Sequence, residues 1–140
     1  MRQILFIIIS LFFGCTIAPD KNQLTLVLSG DPKNLDPAHA TDVRSGQVTA
    51  LMYDNLVHYG HGSELNPDLA KFWEISEDGL EYTFILRDSV KFQNGELLKP
   101  HHVKSSFERI LNPELNSRRS WLFKNVVGAE EYQNSEIDYV

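Results

Sequence analysis

The stretch WEISEDGLEYTFILR at residues 73–87, followed by VKFQNGE at residues 90–96, decides the fold of this chain. Large apolar side chains alternate with their neighbours over residues 82–86, which is the two-residue period of a β-strand. Asp78-Gly79 and Asn94-Gly95 are dipeptides typical of tight turns between antiparallel strands. We expect Asn94-Gly95 to form a type I′ hairpin turn, in which both residues have positive φ.

A helix is predicted directly after these strands. Pro100 suits the first helical position, where its missing N–H costs nothing, and Asn112-Pro113 stops the helix. The predicted buried face of this helix consists of Val103, Phe107, Ile110 and Leu111. Strands between residues 70 and 98 with a helix packed on them make the segment mixed α+β. The predicted core consists of Trp73, Tyr82, Phe84, Phe92 and Phe107.

Weaker patterns cover the rest of the chain. Two Asp-Pro steps make residues 30–37 a loop that cannot continue as helix. We predict, in chain order, a β-strand at 24–29, this loop, a helix at 45–56, a brief strand at 57–59, a turn or single helical turn at 65–70, an apolar cluster of Trp121, Leu122, Phe123, Val126 and Val127, and a short helix at 128–132.

The N-terminus has the pattern of a secretory signal. Arg2 precedes an uncharged apolar run at residues 4–13, which is too short for a spanning helix of about 20 residues but fits a signal-peptide core. Gly14 stands immediately before Cys15, the single cysteine of the chain, as in a bacterial lipobox. We therefore expect a lipoprotein signal peptide at residues 1–14, lipid attachment at Cys15 and a polar tether at residues 15–23. The alternative is an ordinary signal peptide with a leftover thiol.

Charge and composition exclude several classes of function. The net charge is −6, and no basic block or stripe indicates a nucleic-acid partner. The cations of the second half alternate with carboxylates and therefore predict a mixed, solvated face; they are Arg87, Lys91, Arg109, Arg118 and Arg119.

Removing residues 1–14 leaves 126 residues, which is enough for one domain with one modest core.

Residues capable of metal binding or acid–base chemistry are present but not at informative spacings. His58 with His61, and His101 with His102, lack a third or fourth ligand at a recognised spacing. The carboxylate pairs Glu77-Asp78 and Glu130-Glu131 have no nucleophile or phosphate loop beside them. We therefore expect no metal, no cofactor and no enzymatic activity.

A series of motifs in fixed order resembles one family. The motifs are Gly30-Asp31-Pro32 with Leu35-Asp36-Pro37, Tyr53-Asp54-Asn55-Leu56, residues 65–70, Trp73, residues 83–87, residues 90–92, Asn94-Gly95, residues 106–109 and residues 128–132. This series is similar to that of bacterial solute-binding family 5, the extracytoplasmic receptors of ABC importers for peptides and nickel. The main departure is residues 99–102, where the family usually has Thr-Ala-x-Asp. Loss of that threonine as a helix N-cap should cost about 1 kcal/mol.

The resemblance implies a class II periplasmic-binding-protein-like fold with two lobes around a ligand cleft. This chain resembles roughly the N-terminal quarter of such a receptor, so we expect the second lobe to be missing. Residues 24–44 would be the first strand and loop of lobe one, and residues 45–125 an inserted α+β domain. Residues 126–140 would return toward lobe one.

The implied function is capture of peptides outside the cytoplasmic membrane for delivery to an ABC permease and its ATPase. In such receptors the peptide is held as an added strand, and the resemblance places the backbone of Thr41, Asp42 and Val43 at the cleft edge. Without the resemblance, those residues form a polar loop before a helix. The alternatives are a nickel-chelate, haem or sugar receptor of the same family, a stand-alone lipoprotein module, and a remnant without function.

Overall fold

The computed structural model describes residues 22–136 and shows a mixed α+β architecture. The predicted signal peptide, Cys15 and most of the tether lie outside these residues. The elements are α1 (Val43–Met52), β1 (Val57–Tyr59), β2 (Leu65–Pro67), β3 (Ala70–Ile75), β4 (Tyr82–Leu86), α2 (Pro100–Leu111), two 3₁₀ turns (Pro113–Leu115 and Ser120–Phe123) and α3 (Ala129–Gln133). No helix within the described range is long and apolar enough to cross a lipid bilayer.

The strands form two antiparallel pairs. Strand β1 pairs with β2, and β3 pairs with β4 from Ala70 opposite Leu86 to Ile75 opposite Tyr82, with a bulge after Ala70. The predicted hairpin over residues 73–87 is therefore confirmed. The Ala70 N–H donates to the Leu56 carbonyl at 3.0 Å, which ties the two pairs together.

The second turn differs from the predicted type I′ geometry. Gly95 has φ +89°, but Asn94 is not among the described residues with positive φ. The Gly95 N–H donates to the Phe92 carbonyl, and the Phe92 N–H donates to the Glu96 carbonyl, both at 2.8 Å. The Asn94 side chain accepts the Glu96 N–H at 3.0 Å, and this local bond favours an ordinary turn followed by a left-handed glycine.

Two predictions for the first half are wrong. Residues 24–29 form no strand, because no strand of the described chain lies beside them to complete a ladder, and Val27 is 97% exposed. Residues 65–70 are not a helical turn: residues 65–67 form β2, and Ala70 begins β3. Pro67 is tolerated there because β2 is an edge strand. The predicted helix at 45–56 is present but is shifted to Val43–Met52.

The predicted aromatic core is largely open. Tyr82, Phe92 and Phe107 are exposed by a third or more, while Trp73 and Phe84 are half-buried. The fully buried apolar residues are instead small, apart from Leu111; they are Ala38, Ala40, Ala70 and Ala129. Pairs of two-stranded sheets with a single long helix cannot surround large side chains on both faces. Phe84, Phe92 and Phe107 therefore line a surface depression, to which Trp73 and Tyr82 do not contribute.

The predicted apolar cluster near the C-terminus is also exposed. Phe123 packs on Phe107, with 5.0 Å between ring centroids. The other members of the cluster are largely solvent-accessible, and Val127 is 94% exposed. The prediction of a short helix at residues 128–132 is confirmed, with α3 shifted by one residue to Ala129–Gln133.

Helix α2 begins and ends as predicted, and its N-terminus uses an unusual cap. Lys99 has the extended backbone of an N-cap residue, with φ −131° and ψ 160°. Its N–H donates to Nδ1 of His102 at 3.0 Å, and Nε2 of His102 lies 3.3 Å from a Glu96 carboxylate oxygen. His102 thereby takes the place of the acidic or amide residue at the third position of a capping box. An N-cap hydroxyl is still missing.

Replacing Lys99 with threonine is expected to raise the free energy of unfolding by about 0.5–1 kcal/mol, because the new hydroxyl would accept an N–H of the first helical turn. Urea denaturation measures the change. The control is Lys99→Ala, which removes the same ammonium group and adds no acceptor. Equal stability of the threonine and alanine variants would contradict the prediction.

Candidate functional site

The segment before α1 is a compact turn built on Asp36. The Asp36 carbonyl accepts the N–H groups of His39 and Ala40, both at 2.9 Å. Its carboxylate oxygen Oδ1 accepts the Ala38 N–H at 3.0 Å, and the Asn34 side chain accepts the Asp36 N–H at 2.8 Å. The two Asp-Pro steps therefore end in a turn in which most backbone donors have local partners.

Arg109 on α2 binds the Asp36 carboxylate through both terminal nitrogens. The distances are 2.9 Å from Nη1 to Oδ1 and 2.6 Å from Nη2 to Oδ2. This fork geometry is the strongest form of carboxylate recognition in proteins. The hydrogen bond from Arg109 is the main reason that the pKa of Asp36 falls from 3.8 to about 2. Arg109 remains on the predicted solvated face, since its side chain is 51% exposed, and its ion pair also joins α2 to the turn.

Two further side chains bind backbone carbonyl groups that follow Asp36 in the turn. Ser117 Oγ donates to the Ala38 carbonyl at 2.7 Å, and Nη2 of Arg119 donates to the Ala40 carbonyl. Ser117 Oγ also accepts the Arg119 N–H at 3.1 Å, which links the two donors. Alternate residues 36, 38 and 40 are thus bound by side chains that follow 73–79 positions later in the sequence.

Ser45 joins the start of α1 to the loop before it. Its hydroxyl accepts the N–H groups of Lys33 and Asn34 at 3.0 and 3.1 Å and donates to Asp42 Oδ2 at 2.6 Å. Asp42 is the N-cap of α1, and its Oδ1 accepts the Ser45 N–H at 3.1 Å. The hydrogen bond from the Ser45 hydroxyl lowers the pKa of Asp42. Ser45 has no exposed surface.

The structure brings the predicted site residues Thr41, Asp42 and Val43 together at the end of this braced loop. Asp42 has an extended backbone, with φ −94° and ψ 158°. Val43 is already the first residue of α1, and its side chain is 77% exposed. Thr41 is exposed, and its backbone N–H and carbonyl have no hydrogen-bond partner within residues 22–136. The Asp42 carbonyl accepts the Gly46 N–H at 2.9 Å, so Thr41 carries the unpaired backbone groups of this segment within residues 22–136, and the cleft edge at Thr41, Asp42 and Val43 stays a prediction.

A separate depression lies between the end of α1 and α2. Its volume is about 910 Å³, and Phe84, Phe92 and Phe107 contribute its aromatic walls. None of residues 36–45 lines it, so it is distinct from the edge at Thr41. Within the described part of the chain, no three His, Cys, Asp or Glu residues are close enough to hold a metal ion. His101 and His102 contact each other, with ring centroids 3.9 Å apart.

Comparison with known proteins identifies the class of protein as an extracellular solute-binding protein. The family model described as bacterial extracellular solute-binding proteins, family 5 (middle portion) matches residues 64–139. The chain therefore belongs to family 5 of the bacterial extracellular solute-binding proteins, which are receptors for transport. The resemblance stated from the sequence motifs is thereby confirmed.

Individual relatives agree with this assignment. The chain is 39% identical over 99 residues to the probable D,D-dipeptide-binding periplasmic protein DdpA of Escherichia coli K12, covering 67% of this chain and 19% of that protein. It is 35% identical over 96 residues to the glutathione-binding protein GsiB of Salmonella typhi, covering 69% of this chain and 19% of that protein.

The crystal structure of a periplasmic oligopeptide-binding protein, OppAIV of Borrelia burgdorferi, aligns with a TM-score of 0.71 and 30% identity. The alignment covers 76% of this chain and 22% of the Borrelia chain. The predicted fold class, an α+β portion of a periplasmic-binding-protein-like receptor, is therefore confirmed. The chain spans about a fifth of the length of the curated relatives that it matches.

Proposed function

We propose that the complete gene product containing this chain captures peptides outside the cytoplasmic membrane and delivers them to an ABC permease with its ATPase. The relatives named above are binding proteins for a D,D-dipeptide, for glutathione and for oligopeptides, all of which carry peptide-like main-chain groups. A nickel chelate, haem or a sugar shares few of those groups. We also propose that Cys15 carries a lipid anchor and that residues 45–125 form an inserted domain of lobe one.

The observation that carries this proposal is the backbone of Thr41, which has no hydrogen-bond partner within residues 22–136 and lies beside the extended Asp42. An extended segment with a free N–H and carbonyl pairs with a peptide main chain as one strand pairs with another, so binding does not depend on the peptide's side chains. The neighbouring turn is fixed by side chains from α2 and the segment after it, so this edge is held in place before a ligand arrives. A fixed edge reduces the ordering cost of binding.

Isothermal titration calorimetry tests the proposal on the complete gene product. Di- and tripeptides are expected to bind with micromolar dissociation constants, and a nickel–histidine chelate is expected to give no heat of binding. A peptide must lose most of its water contacts to bind tightly, and one wall of a cleft cannot achieve this. The isolated segment of residues 15–140 is therefore expected to show no submillimolar binding.

Two results of these titrations would contradict the proposal. Binding of the chelate without binding of peptides would reassign the receptor to another solute. Micromolar peptide binding by residues 15–140 alone would show that the segment encloses a complete site and does not act as one wall of a larger cleft.

A further inference from the structure

The direction of a backbone donor at the candidate edge is fixed by a distant arginine. The Ala40 carbonyl and the Thr41 N–H belong to one peptide unit, and the described chain contains no cis peptide bond. In a planar trans unit the carbonyl and the N–H point in opposite directions. Because the Ala40 carbonyl accepts a hydrogen bond from Arg119, the Thr41 N–H is turned away from Arg119.

The surroundings of Ala40 make this arrangement rigid. Ala38 and Ala40 are each 1% exposed, and Ser117 binds the Ala38 carbonyl, two residues before the carbonyl that Arg119 binds. The Ala40 N–H is held by the Asp36 carbonyl at 2.9 Å, and Asp36 is held by Arg109. The peptide unit that ends in the Thr41 N–H is therefore fixed on its inner side, while Thr41 itself faces solvent.

Arg119 occupies this position at an energetic cost. Its Nε is buried and has no hydrogen-bond partner within the described part of the chain. A buried donor without an acceptor disfavours the folded state, whereas the same N–H would bind water in an exposed side chain. Solvation alone would therefore keep Arg119 at the surface. Two hydrogen bonds offset this cost. The guanidinium of Arg119 donates to the Ala40 carbonyl, and the backbone N–H of Arg119 donates to Ser117.

We infer that Arg119, supported by Ser117 and Arg109, is a positioning residue that aims the Thr41 N–H at the carbonyl of a bound peptide. The inference rests on the proposed function, because it assigns a ligand to the edge described above. Arg119 does not touch the peptide. It acts through the peptide unit between Ala40 and Thr41, and the donor that contacts the ligand is a backbone group.

The experiment uses the complete gene product and the variant Arg119→Gln. We expect the amide of Ala40 to exchange with deuterium about tenfold faster in this variant, while the amides of the β3–β4 hairpin stay unchanged. Peptide affinity should fall about tenfold, the effect of losing one well-oriented hydrogen bond. The matched control is Arg118→Gln, which removes the same charge from the adjacent, exposed position and should change neither quantity.

Two more variants separate positioning from a general structural role. Arg119→Lys retains a cation that can reach the carbonyl and should recover part of the affinity. Thr41→Pro removes the N–H itself and should weaken binding by a similar factor. In the double variant Thr41→Pro with Arg119→Gln, the losses should not add, because both changes remove the same donor. A structural role for Arg119 that is unrelated to Thr41 predicts additive losses.

Each outcome decides one of the two proposals. If amide exchange at Ala40 does not change in Arg119→Gln, the positioning inference is overturned whether or not peptides bind. Faster exchange with unchanged peptide affinity overturns the ligand role of Thr41, and additive losses in the double variant overturn the action of Arg119 through Thr41. If the unmodified protein binds no peptide while exchange still accelerates, the proposed function fails and the bracing of the loop by Arg119 stands.

Discussion

Replacing Ser45 with alanine is expected to lower the free energy of unfolding by about 2–3 kcal/mol, as measured by urea denaturation. The Ser45 hydroxyl makes three hydrogen bonds, accepting from the backbone of Lys33 and Asn34 and donating to Asp42. The side chain is fully buried, so water cannot take its place without a rearrangement of the loop. The loss should also appear as faster amide exchange at Lys33 and Asn34, since both N–H groups lose their acceptor.

The matched control for this variant is Ser105→Ala. Ser105 is exposed on α2, and its replacement should change the unfolding free energy by no more than about 0.5 kcal/mol. A loss for Ser45→Ala as small as that of the control would mean that the hydroxyl does not hold the loop to α1.

Replacing Asp36 with asparagine is expected to cost about 1–2 kcal/mol at neutral pH. The carboxylate loses its charge, while an amide oxygen can still accept the Ala38 N–H at the same place. The side chain of Asp36 is 29% exposed and that of Arg109 is 51% exposed. Solvent therefore screens the pair, and the cost is smaller than the full pKa shift would imply.

The stability difference between the unmodified protein and Asp36→Asn should depend on pH. The pKa of Asp36 is about 2 in the folded protein, against 3.8 for the unperturbed group. A carboxyl group with a lowered folded-state pKa stabilises the protein fully above its unfolded pKa, and that contribution disappears as the pH falls through the folded value. The stability difference between the unmodified protein and Asp36→Asn should therefore be constant above about pH 5, fall to a small fraction by about pH 2 and disappear below it.

Urea denaturation between pH 2 and 7, at about 0.1 M salt, measures this difference. Asp31→Asn is the control, because Asp31 is an exposed carboxylate of the same loop without an ion pair in the described chain. A difference that stays constant down to pH 2 would show that the ion pair with Arg109 does not stabilise the folded state.

The sequence predicted the elements whose signals are local. The hairpin over residues 73–87 alternates in side-chain character and contains a turn with Gly79 at φ +73°, so neighbouring residues were sufficient to specify it. Helix α2 was bounded correctly because Pro100 and Asn112-Pro113 act on their own immediate backbone. Residues 24–29 failed for the opposite reason, since a strand exists only when a second strand supplies its hydrogen bonds.

The candidate site was only partly predictable. The cleft edge at Thr41, Asp42 and Val43 follows from the family resemblance and stays a prediction, whereas the sequence pattern places the bracing side chains Arg109 and Arg119 on a solvated face and gives no sign of their contacts with the loop. The residues that they bind lie 73 and 79 positions earlier in the sequence, so no periodicity or motif spacing connects them. Alternating charge correctly predicts that Arg109 and Arg118 are exposed, and it fails for Arg119, whose Nε is buried because the guanidinium binds the distant Ala40 carbonyl.

The uncovered run at residues 24–27 has a practical consequence for the isolated polypeptide. Leu24, Leu26 and Val27 are exposed, and they adjoin backbone that no ladder within residues 22–136 satisfies. Such a run is a template on which a second copy can add as a strand, and this is the usual route to edge-to-edge aggregation. We therefore expect self-association through this run at the high concentrations of purification.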